Sequence, residues 1–125
     1  MNTLAKIRSL GFVATLSALP AFADAPTPDV PGDSFVTMSD VLRAEALSGL
    51  GDYAKEKHGC ATPNVLDTRS RSVKGAVRLG KDGRLLAGTI TEHWRVDVCG
   101  TTRTFVVVLS PPVEGASGIA ITERS

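Results

Sequence analysis

The stretch Val77–Gly100, VRLGKDGRLLAGTITEHWRVDVCG, decides how this chain folds. Its first half places Lys81-Asp82-Gly83-Arg84 between two segments in which apolar residues alternate. Asp-Gly in that setting is a strong hairpin signal, because a two-residue reversal wants positive φ at both positions and these residues tolerate it. With Asp82 and Gly83 as the loop, Leu79 lies opposite Leu86 and Gly75 opposite Ile90. The apolar residues of the first strand, Val73, Val77 and Leu79, then share a face with Leu86, Ile90, Trp94, Val96 and Val98 of the second. Turn chemistry and hydrophobic period agree, which specifies an antiparallel pair with one buried face. His93, Arg95 and Asp97 alternate onto the opposite, solvated face with Thr89 and Thr91. The single Trp of the chain, Trp94, falls on the buried stripe and reads as a core residue.

Outward from this pair, Thr104–Ser110 (TFVVVLS) is a third strand, apolar on both faces and so expected to be central or covered on both sides. The turn before it, around Gly100–Thr102, holds two or three residues, which leaves its register open. Pro111-Pro112 ends this strand, Gly115–Gly118 supplies another turn, and Ile119 with Ile121 marks a short last strand. On the other side, Cys60–Ser72 is turn-like and irregular. Before it, Ser39–Lys57 is expected to be helical. Ser39 or Thr37 caps the helix, Asp40 suits the positive end of its dipole, and Leu42, Ala46, Leu50 and Tyr53 or Ala54 recur on one face. Lys55 and Lys57 sit in the last turn, and Gly59 is the stop signal. Gly49 and Gly51 each cost about 1 kcal/mol relative to Ala in a helix interior, so a break near Ser48–Gly51 is the alternative. The expected fold is α+β: one N-terminal helix packed on a three- to four-stranded antiparallel meander, a single domain over residues 35–125.

The chain opens with an export signal, residues 1–23. Lys6 and Arg8 precede the apolar run Leu10–Leu19, and Ala21 and Ala23 occupy the small-residue cleavage positions, so the cut is expected between Ala23 and Asp24. The run is about half of the ~20 residues that span a bilayer. Nothing after it is apolar for long enough to cross a membrane. The expected location is the periplasm or beyond. Removing Lys6 and Arg8 from the 14 basic residues leaves 12 against 13 acidic ones, a formal charge of −1. That balance offers no global attraction to nucleic acid or anionic lipid. Residues 24–34, DAPTPDVPGDS, carry three Pro and read as a leader outside the core.

In an oxidising compartment the two cysteines, Cys60 and Cys99, are expected to pair. They close a loop of about 40 residues, for which chain entropy gives roughly 3–4 kcal/mol. Sharper readings compete with the disulfide. His58, Cys60, His93 and Cys99 form a Cys₂His₂ set by composition, but the His-x-Cys spacing is not that of a zinc finger. A cysteine nucleophile served by His93 would need Asp97 to orient the ring. Four residues along a strand separate these two by roughly 13 Å. There is no Cys-x-x-Cys, Gly-x-Ser-x-Gly, Ser-x-x-Lys, P-loop or dinucleotide fingerprint. Neither a catalytic set, a metal site nor a cofactor is assigned on this reading.

A basic run remains: Arg69, Arg71, Lys74, Arg78, Lys81 and Arg84 are opposed only by Asp82. By the hairpin register, Lys74 and Arg78 share the outer face with His93 and Arg95. Arg69, Arg71, Lys74, Arg78, His93 and Arg95 are therefore the candidate binding face. It suits a periplasmic or extracellular protein with acidic character, or an anionic envelope component such as a phosphate-bearing glycan or lipid headgroup. The alternative is ordinary solvation of an outer strand face. No aromatic residue interleaves the run, which argues against single-stranded nucleic acid.

The pattern Glu92-x-Trp94-x-Val96-x-x-Cys99-Gly100, followed by an apolar strand and a glycine-containing turn, resembles small secreted bacterial proteins of no settled function. The resemblance spans Gly88–Thr122 and implies a similar fold without implying a chemistry. The expected function is that of an exported, non-catalytic binding or accessory domain, an inhibitor or a partner in an envelope complex. The alternative is a small periplasmic enzyme whose site involves His93 or His58.

Overall fold

A computed structural model describes residues 29–124, with the Arg71 side chain left out; the expected export signal (residues 1–23), residues 24–28 of the Pro-rich segment and Ser125, the last residue of the expected domain, lie outside the described residues. A short 3-10 turn, Phe35–Met38, leads into α1 (Asp40–His58), followed by β1 (Asn64–Leu79), β2 (Leu85–Val98), β3 (Thr101–Leu109) and β4 (Ile119–Arg124). The strands pair in chain order as an antiparallel meander. Asp33 adds one parallel bridge to Arg69 on the outer edge of β1, so five segments contribute to the sheet, one more than expected. The fold is α+β, with α1 packed on one face of the sheet.

The helix forms where its caps place it. The Ser39 side chain accepts from the Leu42 amide (3.2 Å) and donates to the Gly83 carbonyl (2.6 Å), so one hydroxyl both caps α1 and ties it to the β1–β2 loop. Gly59 ends the helix in the left-handed conformation. Leu42, Ala46, Leu50 and Ala54 are buried along an unbroken helix. Gly49 lies where the helix approaches the sheet: a Cβ there would stand 3.0 Å from the Ile121 side chain. Beneath α1 lie Ile90, Trp94, Val96 and Val98 of β2 with Phe105, Val107 and Leu109 of β3, all buried.

The β1–β2 hairpin differs from its expected register. Its loop is Gly80–Arg84, closed by the Gly80 amide on the Arg84 carbonyl (2.8 Å), and Leu79 faces Leu85 rather than Leu86. Ile90 faces Val73 rather than Gly75. Four register shifts punctuate the pair. Three of them add one residue to one strand and exchange the faces of the residues beyond, whereas the shift between Lys74 and Arg78 adds two to β1 and leaves the faces unchanged. Gly88, at φ 90°, lies where a Cβ would meet the Val77 backbone at 2.9 Å, so only glycine fits this crossing. As a result Leu85 is buried and Leu86 (54 % exposed) turns out of the stripe expected for it, while Val73 (57 %) and Leu79 (37 %) stay exposed on the edge strand although they face the buried Ile90 and Leu85.

β1 starts at Asn64, inside the segment read as irregular. Its polar residues hide no alternation because it is an edge strand held by backbone pairing. Thr68 is its buried exception, donating to the Pro31 carbonyl (2.7 Å), while the Asp33 amide donates to the Thr68 carbonyl (2.8 Å). The leader therefore does not stay outside: Val30 joins the core and Ser34 is buried. The cause is Glu92, a fully buried carboxylate on the inner face of β2. It accepts from the Ser34 hydroxyl, the Phe35 amide and the Trp94 indole, each at 2.7 Å.

The β2–β3 turn is the two residues Cys99-Gly100, at φ 49° and 97°, with Val98 opposite Thr101. Paired positive φ values are those of a type I′ reversal, which matches the twist of the flanking strands. The turn sits one residue before the expected window. β3 is central between β2 and β4. Among the described residues, however, only its inner face is covered by the helix; Val106 and Val108 on the other face are half-buried. Cys60 and Cys99 form the expected disulfide, with Cα atoms 5.8 Å apart, joining the segment after α1 to this turn.

This packing makes two substitutions informative. Glu92→Gln turns one acceptor into a donor: with its oxygen toward Ser34 and Trp94, its amide nitrogen opposes the Phe35 N–H. Chemical denaturation monitored by Trp94 fluorescence is expected to show a loss of about 1–3 kcal/mol. A double Cys60→Ser, Cys99→Ser variant is expected to lose roughly 2–5 kcal/mol, read from the same transition.

Candidate functional site

The outer face of the sheet is set by the two-residue turn at Cys99-Gly100. It aligns Arg95 with Thr104, which in turn aligns with Arg124, while Asp67 faces Arg95 from the other side. One row across the four strands thus reads Asp67, Arg95, Thr104, Arg124. The next row reads Arg69, His93, Val106, Thr122. Neighbouring strands lie about 4.8 Å apart and residues two positions apart on a strand about 7 Å, so the basic side chains of both rows meet over one patch.

They do so around a groove of about 380 Å³ lined by Asp67, Arg69, His93, Arg95, Thr104 and Arg124, with Trp94 beneath. Arg124 brings a guanidinium nitrogen to 3.4 Å from His93 Nδ1. Asp67 stands 3.5 Å from Arg69 Nε. No acidic side chain pairs with Arg95 or Arg124 among the described residues. The groove therefore carries local positive charge with one carboxylate at its rim.

Of the residues expected to form the binding face, Arg69, His93 and Arg95 come together here. Lys74 shares the outer face, opposite Thr89, but stands beyond the groove. Arg78 faces Ala87 past the bulges and is likewise outside it. The side chain of Arg71 lies outside what the structure describes. Arg124 and Thr104 escaped the sequence reading because the β2–β3 register was open. A two-residue turn at Cys99-Gly100 pairs Thr104 with Arg95, and the β3–β4 pairing is needed in addition to bring Arg124 into the row.

The residues of the competing readings are otherwise engaged. Asp97 accepts from the Gly100 amide (3.0 Å) and caps the turn, so it does not orient His93. Both cysteines are in the disulfide. Among the described residues no three His, Cys, Asp or Glu side chains gather as a metal site. His58 belongs to a different cluster, built on Glu123 of β4. Glu123 Oε1 lies 2.6 Å from His58 Nε2 and 3.3 Å from the Tyr53 hydroxyl, and its Oε2 accepts from Arg103 at 2.8 Å. The Tyr53 ring meets Phe105 edge-on, with centroids 5.4 Å apart. The His58 hydrogen bond, supported by Arg103, holds the Glu123 carboxyl below its ordinary value of 4.5 against the opposing effect of burial. Burial, with the Glu123 charge beside it, pushes the Tyr53 hydroxyl up from 10.0. This cluster clasps the end of α1 to the last strand.

No protein-family model, curated protein or solved structure matches this chain.

The Glu123 clasp makes acid sensitivity predictable. A carboxyl depressed by folding contributes stability that is present above its unfolded pKa and lost as pH falls through the lower folded value. Urea denaturation across the acid range is expected to show that contribution intact above pH 4.5 and declining below it. In Glu123→Gln the acid-side decline is shallower, and the two proteins converge at the lowest pH.

Proposed function

We propose that the protein is an exported, non-catalytic binding domain that works in the periplasm or outside the cell. Its ligand is an anionic envelope component or an acidic partner, held on the outer sheet face at Arg69, His93, Arg95 and Arg124. The observation that carries this reading is convergence: residues from β1, β2 and β4 bring four basic side chains to one groove. A merely solvated face would distribute its charges. The formal charge expected after removal of the signal is −1, so this cluster is a local departure and not the overflow of a basic chain. Export is supported by the N-terminal signal pattern, and the disulfide is compatible with it.

The test is capture. The exported protein, immobilised and exposed to an envelope fraction at low and moderate salt, is expected to retain a saturable, salt-sensitive ligand. The variant carrying Arg95→Glu and Arg124→Glu is expected to lose at least about tenfold in affinity, equivalent to 1.4 kcal/mol. Equal capture by this variant would remove the groove from the proposal. Cell fractionation with the mass of the mature chain checks cleavage between Ala23 and Asp24.

A further inference from the structure

We infer that the groove is a subsite for a phosphate group borne on a hydroxyl-rich, non-lipid carrier, a sugar phosphate or a phosphorylated glycan. This rests on the groove being the binding surface and names what it binds. The charge requirement comes from Arg95 and Arg124, which have no acidic partner among the described residues, together with Arg69 and His93. Guanidinium groups offer forked, fixed donors that match phosphate oxygens, and several around one point favour an anion of more than one charge.

The carrier is read from the rest of the lining. Apart from Trp94, every residue lining the groove is polar or charged. The Trp94 side chain is itself buried on the other side of the sheet and bonded to Glu92. There is accordingly no apolar side chain in the lining for an acyl chain and no exposed Phe, Tyr or Trp ring on which a base would stack. Asp67 and Thr104 supply the complementary chemistry. Asp67 accepts hydrogen bonds, and its negative charge disfavours a ligand that is anionic along its whole length. Thr104, between Arg95 and Arg124 in the same row, both donates and accepts. A hydroxyl-bearing ring beside a single phosphate satisfies both ends of this row, whereas a bare polyanion meets Asp67.

The experiment titrates the mature protein at low salt with glucose 6-phosphate, inorganic phosphate, glucose, malonate and vesicles containing phosphatidic acid. Binding is followed by calorimetry and by backbone amide shifts. The expected result is saturable binding of the sugar phosphate, about tenfold tighter than inorganic phosphate, with no binding of glucose. Shifts should centre on residues 93–95, 104 and 124. Arg95→Gln with Arg124→Gln should weaken sugar phosphate binding by about tenfold or more. Asp67→Asn should erase the advantage of the sugar phosphate over inorganic phosphate. Lys74→Gln with Arg78→Gln, outside the groove, should change the affinity by less than about twofold.

Malonate binding as tightly as the sugar phosphate would overturn the phosphate assignment and leave the groove as an anion site. Vesicles binding more tightly than the soluble ligand would overturn the non-lipid carrier. Absence of binding by every probe, or binding undiminished in the Arg95, Arg124 variant, would overturn this inference. Envelope capture by wild type and its loss on charge reversal decide the broader reading separately.

Discussion

Glu92 sits where a carboxylate is least favourable, without solvent access beneath the helix, and three donors converge on it. Burying such a group without partners costs several kcal/mol, and even a paired buried charge brings little net stability compared with a well-packed apolar residue. What it brings is direction. Its two oxygens fix the Trp94 ring from within β2, and from 57 and 58 residues away they hold the Phe35 amide and the Ser34 hydroxyl. Through Ser34 the 3-10 turn is capped, since its oxygen also accepts from the Val36 amide. That turn delivers the chain to Ser39, which starts α1 and binds the β1–β2 loop. Entry angle, helix position and loop position thus depend on one acidic side chain in an otherwise apolar stripe.

The other fixed point is the reversal at Cys99-Gly100. Its length sets the β2–β3 register, and with it both faces of the sheet. On the inside it pairs Trp94 with Phe105; on the outside it pairs Arg95 with Thr104. The disulfide attaches the same turn to the end of α1. The Glu123 clasp attaches that end to β4, where the next residue, Arg124, lines the groove. Core and candidate site are therefore opposite sides of one register.

Much of this was legible where a local signal and a period reinforced each other. Ser39, the stripe Leu42–Ala54 and Gly59 marked the helix, and Trp94, Val96 and Val98 marked a core strand. The failures have specific causes. Asp82-Gly83 announced a reversal but not its length, because the loop closes through backbone bonds at Gly80 and Arg84 and through the helix cap. A bulge then turned Leu86 out of the core, and no residue pattern announces a bulge as strongly as a turn; Val73 and Leu79 stay exposed at the edge although they face buried residues. β1 was invisible before Val73 because an edge strand needs no apolar alternation. Glu92 belongs to the E-x-W-x-V pattern, yet its burial makes sense only once Ser34 and Phe35 are known to reach it. Half of the groove was named from the basic run and from β2, while Arg124 and Thr104 depended on a register that residue types alone left open.

The bridge at Asp33 bears on the order in which the chain completes itself. A meander of neighbouring strands assembles from contacts short in sequence, so it does not require the N-terminal segment. During that interval β1 presents a row of backbone groups able to template another chain, the hazard of any uncovered edge. When residues 31–33 settle against Thr68 and Arg69, part of that row is occupied from within. Contact order thus expects residues 31–33 to join after the meander, and once in place they guard the part of the edge they cover against association.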